Sequence, residues 1–330
     1  MFIGKAPLRV SFNGGGSDLP AHYTKFGGAA LTATIDRFVY VTVNPSFSKA
    51  YRIAYSKIEY PEDINYIQHP LIKNSLKVLG VEHPLEITTL ADVPSNGSGL
   101  GSSSSFTVAL LNALSLMQGV HLSSYEVAKM ACKIEIEMTQ APIGVQDQYA
   151  ASFGGLNFFS FQKSGNVTRE PVAKTINEQE EIISFLNLHA LFFHIDYPRD
   201  ANLILRRQND KLKNESKNHE KTSELKDLAM ATKLDLIDHK IESFGRKITQ
   251  GWMIKCELNG DSKDSKIMSL VSRVKANDEI FGAKLLGAGG GGFLMVFCHP
   301  ERRENVIKLF SEYRKVDFQF KNSISEAVRI

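Results

Sequence analysis

The chain has 330 residues, of which 43% are hydrophobic and 23% charged, with a formal net charge of +3. That balance fits a soluble globular protein long enough for two domains. The small charge, carried on scattered lysines, argues against a nucleic-acid partner, and no apolar run reaches transmembrane length. The N-terminus meets Lys5 and Arg9 at once, which speaks against a signal peptide. The three cysteines, Cys132, Cys256 and Cys298, are widely spaced and odd in number. They argue against a disulfide framework or a zinc site and for a reducing cytoplasm, each as a small buried hydrophobe.

In chain order, Ala6 to Phe12 alternates like a strand and breaks at Asn13-Gly14-Gly15-Gly16-Ser17-Asp18. The break reads as a turn whose Asp18 caps a short helix, yet it holds more glycine than a bare turn needs. Ala30 to Val43 is apolar and β-branched around Asp36-Arg37, and reads as two strands or one long bent one. Tyr51 to Tyr60 and Asp63 to Leu79 follow as a strand and a helix. Leu85 to Leu90, a further strand, leads into Pro94-Ser95-Asn96-Gly97-Ser98-Gly99-Leu100-Gly101-Ser102-Ser103-Ser104-Ser105. Behind it Phe106, Leu110, Leu114 and Met117 share one helical face. A flexible linker would not be clamped between a strand and an amphipathic helix. Glycines that let the backbone approach a ligand, placed just before a helix N-terminus, make a phosphate cradle. No lysine follows Gly101, so it is not a Walker A loop.

Ser123 or Ser124 caps the next helix, which runs to about Thr139 with Val127, Met130, Ala131, Ile134 and Met138 as its buried stripe. Glu135 and Glu137 flank that stripe on opposite sides, and periodicity leaves both open. Ala141 to Gly155 turns at Pro142 and Gly144 and places Asp147 near the start of a short helix, where a carboxylate suits the helix dipole. Gly155 to Phe161 and Asn166 to Val172 read as a hairpin closing a first domain, residues 1–180, with Lys174 to Glu181 as the boundary region. Leu188 to Ile195 opens a second domain, residues 181–330, as a strand. Arg199-Asp200-Ala201 leads into a helical pattern, and residues 210–282 are helical with charged, solvated faces and Trp252 in the core. Finally Lys284 to Phe297 carries a glycine loop into an apolar strand. Gly287, Gly289 and Gly292 fit G-x-G-x-x-G, but a dinucleotide fingerprint opens a helix, which this loop does not.

Three of these stretches together resemble the GHMP kinases (galactokinase, homoserine, mevalonate and phosphomevalonate kinases). Gly99-Leu100-Gly101-Ser102-Ser103 is similar to the family's second motif and the glycine run from Gly287 to its third, G-A-G-G-G-G. The first motif, A-P-G-R-V-N-x-x-G-E-H-T-D in galactokinases, is matched at Ala6, Pro7, Arg9 and Asp18, with Gly15 and Gly16 replacing the Glu-His pair. That replacement leaves room for a different or larger sugar than galactose.

The resemblance implies an α/β (α+β) two-domain fold. Its N-terminal half would be ribosomal-protein-S5-like with a left-handed βαβ crossover, its C-terminal half ferredoxin-like, with the site between them. It implies ATP and Mg²⁺ as cofactors, the nucleotide being held by Pro94, Asn96, Gly97, Ser98, Gly99, Leu100, Gly101, Ser102, Ser103 and Ser104. No adenine contact identifies itself. Mevalonate kinases place their magnesium glutamate nine positions before a turn glycine, which selects Glu135 with Ser103 as metal ligands. Asp147, within a Q-D-Q-Y-A-A stretch shared with sugar-phosphate kinases, would take or orient the sugar hydroxyl's proton, with Arg9 close by. Gly15, Gly16, Ser17, Asp18, Gly144, Asp147, Arg199, Gly289 and Gly290 would line the substrate.

Within the family, the triple glycine, Q-D-Q-Y-A-A and the Arg199 neighbourhood most resemble kinases of D-glycero-α-D-manno-heptose 7-phosphate. These act on the anomeric hydroxyl of a small sugar phosphate for bacterial surface polysaccharide. His194-Ile195-Asp196 departs from their usual Thr-Gly before the arginine. An L-fucose kinase-like enzyme is the nearest alternative, and a distal phosphate would demand converging cations, for which Arg199, Arg37 and Lys5 are candidates. A non-catalytic sugar- and ATP-sensing regulator is the alternative of another class. The family contains monomers and homodimers, and a cytoplasmic location is expected.

Overall fold

The computed structural model describes residues 1–94, 97–195, 201–214, 216–261, 264–287 and 292–330. The expectations placed on Asn96, Arg199, Gly289 and Gly290 lie outside the described residues. The chain begins with β1 (Phe2–Asn13), a glycine turn, α1 (Pro20–Phe26) and β2 (Gly28–Pro45), the two strands pairing antiparallel from Phe2↔Val43 to Asn13↔Leu31. From Ala6 onward β1 is buried on both faces, and its alternating polar residues Arg9, Ser11 and Asn13 are met by hydrogen bonds to Asp147, Gln146 and Thr232 instead of by water. β2 is one long strand. Its register against β1 jumps between Pro7↔Phe38 and Arg9↔Thr34, so the Asp36-Arg37 pair sits in a bulge that bends it.

β3 (Arg52–Ala54), β4 (Ile58–Glu59), α2 (Pro70–Val78), β5 (Leu85–Ala91) and α3 (Ser102–Met117) follow. α3 is buried on nearly every side, not only along the expected stripe. α4 (Ser124–Cys132) starts at a capping box between Ser123 and Glu126 and continues into a separate π turn, Lys133–Met138. α5 (Gln146–Phe153) leads to the hairpin of β6 (Leu156–Phe161) and β7 (Val167–Pro171). The expected boundary region instead starts α6 (Ile176–His189), capped by Thr175, which runs straight into β8 (Ala190–Ile195). Then come α7 (Ala201–Asn214), α8 (Ser216–Ile237), α9 (Ile241–Asn259), α10 (Ser265–Lys275), β9 (Ile280–Leu285), β10 (Gly292–Cys298), α11 (Arg303–Leu309), β11 (Arg314–Val316) and β12 (Glu326–Arg329).

The second sheet has the order β11-β8-β10-β9, all antiparallel, the 4-1-3-2 arrangement of a ferredoxin-like unit. The first has the order β12-β1-β2-β5-β3-β4, with β6 and β7 branching from β2. β12 corrects the expected boundary. The last strand belongs to the first sheet, pairing Phe2↔Arg329 to Lys5↔Glu326, so the second unit does not extend to residue 330.

Strand alternation in the second sheet feeds two cores. Leu191, Phe193, Ile195, Leu294 and Val296 pack with Trp252 and Ile267 beneath α9 and α10. Phe192, Phe293, Met295 and Phe297 face the first unit, where Phe12 meets Phe244 edge-on at 5.3 Å and Phe297 at 6.5 Å. Each such ring stabilises the junction by roughly 2–3 kcal/mol through burial. Lys284 crosses the same junction, its buried ammonium donating to Ser11 O (2.8 Å) and Phe12 O (2.6 Å). The two halves are therefore held as one body around the end of β1.

Cys256 and Cys298 are buried, Cys132 is half-buried, and none of the three forms a disulfide among the described residues. Among the described residues no helix is long and apolar enough to cross a membrane. A buried histidine pair links α1 to α8: Nδ1 of His22 lies 3.0 Å from Nδ1 of His219, so one ring donates and the other accepts. Burial, the second histidine and Lys226 push the His22 pKa down from 6.5 to about 4. An unfolded imidazole takes up its proton near 6.5, so between these values the unfolded chain binds more protons. Stability is expected to fall by roughly 2 kcal/mol as the pH drops from about 6.5 towards 4. Thermal denaturation of wild type and His22→Leu across that range checks this, the variant losing most of the slope.

Candidate active site

Three backbone loops converge at the open end of β1. The phosphate loop touches the third glycine motif directly: a Cβ on Gly99, whose φ is +71°, would lie 2.5 Å from Leu286 O, and one on Gly287 would lie 2.4 Å from Gly99 Cα. Only glycine lets the two backbones pack this way. α3 then starts behind Gly101 with no side-chain cap, so its first N–H groups face the loop unpaired within the helix. Such an end attracts anions.

Arg9 ties this loop to the carboxylate opposite. Its Nη1 donates to Gly99 O (2.8 Å) and its backbone N to Leu100 O (3.0 Å). Its Nε and Nη2 form a two-pronged pair with Asp147 at 2.7 and 2.5 Å. Arg9 is buried, whereas the Asp147 side chain keeps 21% exposure. Each Asp147 oxygen therefore retains an acceptor position that Arg9 does not use, on a side chain open in part to solvent.

Asp18 is buried beside it. Its Oδ1 accepts from Gly16 N (2.7 Å) and its Oδ2 from Gln146 N (3.2 Å). Burial raises its pKa, helped by the charge of Asp147, and the two backbone donors oppose the shift. Gly144 packs so closely that a Cβ there would lie 1.9 Å from Asp18 Oδ2. Ser17 is different: its fully buried hydroxyl is engaged with Gly14 O, Ala29 O and Ala29 N, so it fastens the turn and does not face the cleft.

The π turn carries Glu135 inward and leaves Glu137 exposed. Oε1 of Glu135 accepts from Ser103 (2.5 Å) and Thr107 (3.3 Å), and Oε2 from Ser104 (2.7 Å) and Gln148 Nε2 (2.5 Å). Burial raises its pKa while these hydroxyl and amide donors pull it down. No cation pairs with it among the described residues. A buried carboxylate beside serine hydroxyls, at a helix end suited to phosphates, is an oxygen set that fits a hard cation such as Mg²⁺. Among the described residues no cluster of three His, Cys, Asp or Glu could hold a metal alone, so phosphate oxygens would have to complete the shell.

Beside the phosphate loop, a cavity of about 460 Å³ is lined by Tyr55, His69, Leu90, Ser102, Ser103 and Phe106. Its rings pack closely, His69 lying edge-on 4.7 Å from Tyr55 and tilted 5.2 Å from Phe106, an aromatic wall against which a purine base could rest. Ser102 and Ser103 belong to the phosphate loop read from sequence, whereas Tyr55, His69 and Leu90 carry no such signal in one sequence. A larger groove of about 670 Å³, along α9 and His299, shares no residue with the motifs.

Lys255 of α9 was also unannounced, being one lysine among many on charged helices. Its Nζ donates to Gly287 O (3.3 Å), and a Cβ on Gly15 would lie 3.0 Å from it. Burial lowers its pKa while Asp18 pulls it back. Two cations expected near the substrate are engaged elsewhere. Arg37 pairs with Asp36 (2.8 Å) and donates to Asp317 O (2.9 Å), and Lys5 pairs with Glu326 (3.6 Å). Both hold the C-terminal tail against the first sheet.

Residues 65–155 match the GHMP kinases N terminal domain, and residues 232–314 the GHMP kinases C terminal domain. The chain is 28% identical to D-glycero-alpha-D-manno-heptose 7-phosphate kinase of Campylobacter jejuni, over 92% of this chain and 91% of that one. It is 24% identical to L-fucokinase/L-fucose-1-P guanylyltransferase of Bacteroides fragilis over 94% of this chain, which spans 36% of that longer protein. Its fold superimposes on a D-glycero-D-manno-heptose 1-phosphate kinase of Bacteroides thetaiotaomicron with a TM-score of 0.79 at 26% identity, covering 100% and 99% of the two chains. Matching both domains of one family, in order and around a shared cleft, the chain belongs to the GHMP kinases.

Proposed function

We propose that the protein is an ATP- and Mg²⁺-dependent sugar kinase acting on the anomeric hydroxyl of D-glycero-α-D-manno-heptose 7-phosphate. The observation that carries the reading is the Arg9–Asp147 pair, which joins a partly exposed carboxylate to the backbone of an anion-binding loop. The sugar rests against Asp18, Gly144, Gly15 and Gly16. Asp147 orients the reacting hydroxyl and accepts its proton as the oxygen–phosphorus bond forms and ADP leaves. Gly97 to Ser104 hold the terminal phosphates of ATP, and the cavity around His69 and Phe106 takes its base. Ser103 and Glu135 would hold Mg²⁺, which when bound neutralises charge on those phosphates. Lys255 adds a cation on the cleft's other wall. The heptose phosphate is favoured by similarity to two heptose phosphate kinases over nearly whole chains.

One observation favours a second reading. With Arg37 and Lys5 engaged by the tail, two of the three cations proposed for a distal phosphate are not available to it, which suits an unphosphorylated acceptor such as L-fucose. The deciding assay is ADP release from Mg-ATP with heptose 7-phosphate, L-fucose, mannose and galactose side by side. Turnover confined to the heptose phosphate is expected. Turnover of fucose alone would keep the mechanism and replace the substrate, and silence with retained ATP binding would leave a sensor.

A further inference from the structure

α7 lies over the turn that carries Asp18. From it Gln208 reaches in, 4% exposed, and its Nε2 has no hydrogen-bond partner among the described residues. A Cβ on Gly16 would lie 2.7 Å from that nitrogen, with Leu225 of α8 at 3.9 Å on the same side. The neighbouring Asn209 donates to Pro142 O (3.5 Å), so the helix is anchored over both the first glycine turn and the Gly144 turn. Asp18 gives the direction. One of its oxygens is held by Gln146, next to Asp147, and the other by Gly16, next to Gln208. Gln208 therefore stands on the side of Asp18 away from the reacting hydroxyl.

A buried amide donor without an acceptor is unfavourable and is rarely retained unless something else supplies the acceptor. We propose that Gln208 is a specificity-determining residue whose amide donates a hydrogen bond to a sugar hydroxyl remote from the carbon that is phosphorylated. The inference rests on the sugar-kinase reading above. It also accounts for glycine at position 16, since any side chain there would occupy the space between amide and sugar. A site built to bond a hydroxyl discriminates strongly against a sugar that lacks it, because the amide is then left unpaired.

The test compares wild type with Gln208→Leu, which removes the donor, and Gln208→Glu, which keeps the shape. The sugar is whichever of the four above the wild type phosphorylates. In both variants KM for the sugar is expected to rise about tenfold or more with KM for ATP unchanged. The melting temperature of unliganded Gln208→Leu should equal or exceed that of wild type, since an unpaired polar group has been removed. Unchanged sugar KM, a parallel rise in ATP KM, or a lowered melting temperature in Gln208→Leu would each overturn the inference while leaving the kinase reading intact. A wild type that phosphorylates no sugar would overturn both.

Discussion

Asp147→Asn is expected to fold and to lose about 10²-fold or more in kcat. The side chain is nearly isosteric, and its oxygen can still accept from Arg9. What disappears is a group that can take a proton and the negative end of a short two-pronged ion pair. Some stability goes with it, but Asp147 is partly exposed, so water compensates for much of the lost pairing. The measurement is kcat on a preparation whose melting temperature has been compared with wild type. A folded variant with near wild-type turnover would remove Asp147 from the chemistry. Loss of ATP affinity instead would mean that Arg9, freed from its carboxylate, had let go of Gly99 and disturbed the loop.

Glu135→Gln is expected to raise the Mg²⁺ concentration needed for half-maximal turnover at least tenfold and to lower kcat by about 10²-fold. All four groups around the carboxylate are placed as donors. The hydroxyls of Ser103, Ser104 and Thr107 can rotate to accept from a new amide, but the Nε2 of Gln148 cannot. The charge that would hold the metal is gone in either case. Because burial raises the Glu135 pKa, the carboxylate should protonate at a higher pH than an exposed glutamate, and Mg²⁺ dependence in wild type should steepen on the acid side. Turnover against Mg²⁺ concentration at two pH values checks both points. Identical Mg²⁺ curves for variant and wild type would take Glu135 out of the metal site.

The stretches that were legible in sequence are those where one backbone must approach another group closely. A glycine such as Gly99, with Leu286 O within 2.5 Å of any added Cβ, leaves a chemical trace that survives without neighbours to compare. So does Asp147 at the start of a short helix after a Pro–Gly turn, and so do the two strands of the β6–β7 hairpin. Where several residues of one type share a surface, no such trace exists. Lys255 reads like any helical lysine and Gln208 like any polar helix residue until folding sets them against the first glycine turn. Arg37 and Lys5 show the converse, candidate ligands by charge that the returning C-terminal tail claims for itself.

The sequence by itself determined the phosphate loop, the order of the three motifs and the family they resemble, because glycine spacing and helix-start chemistry are local properties. Tertiary structure decided the rest. It turned Glu135 rather than Glu137 inward through one π turn, returned β12 to the first sheet, and brought α7 and α9 over Asp18. Each of these depends on contacts between residues far apart in the chain, whose outcome is set by which buried surfaces fit together and not by any pattern within a single segment.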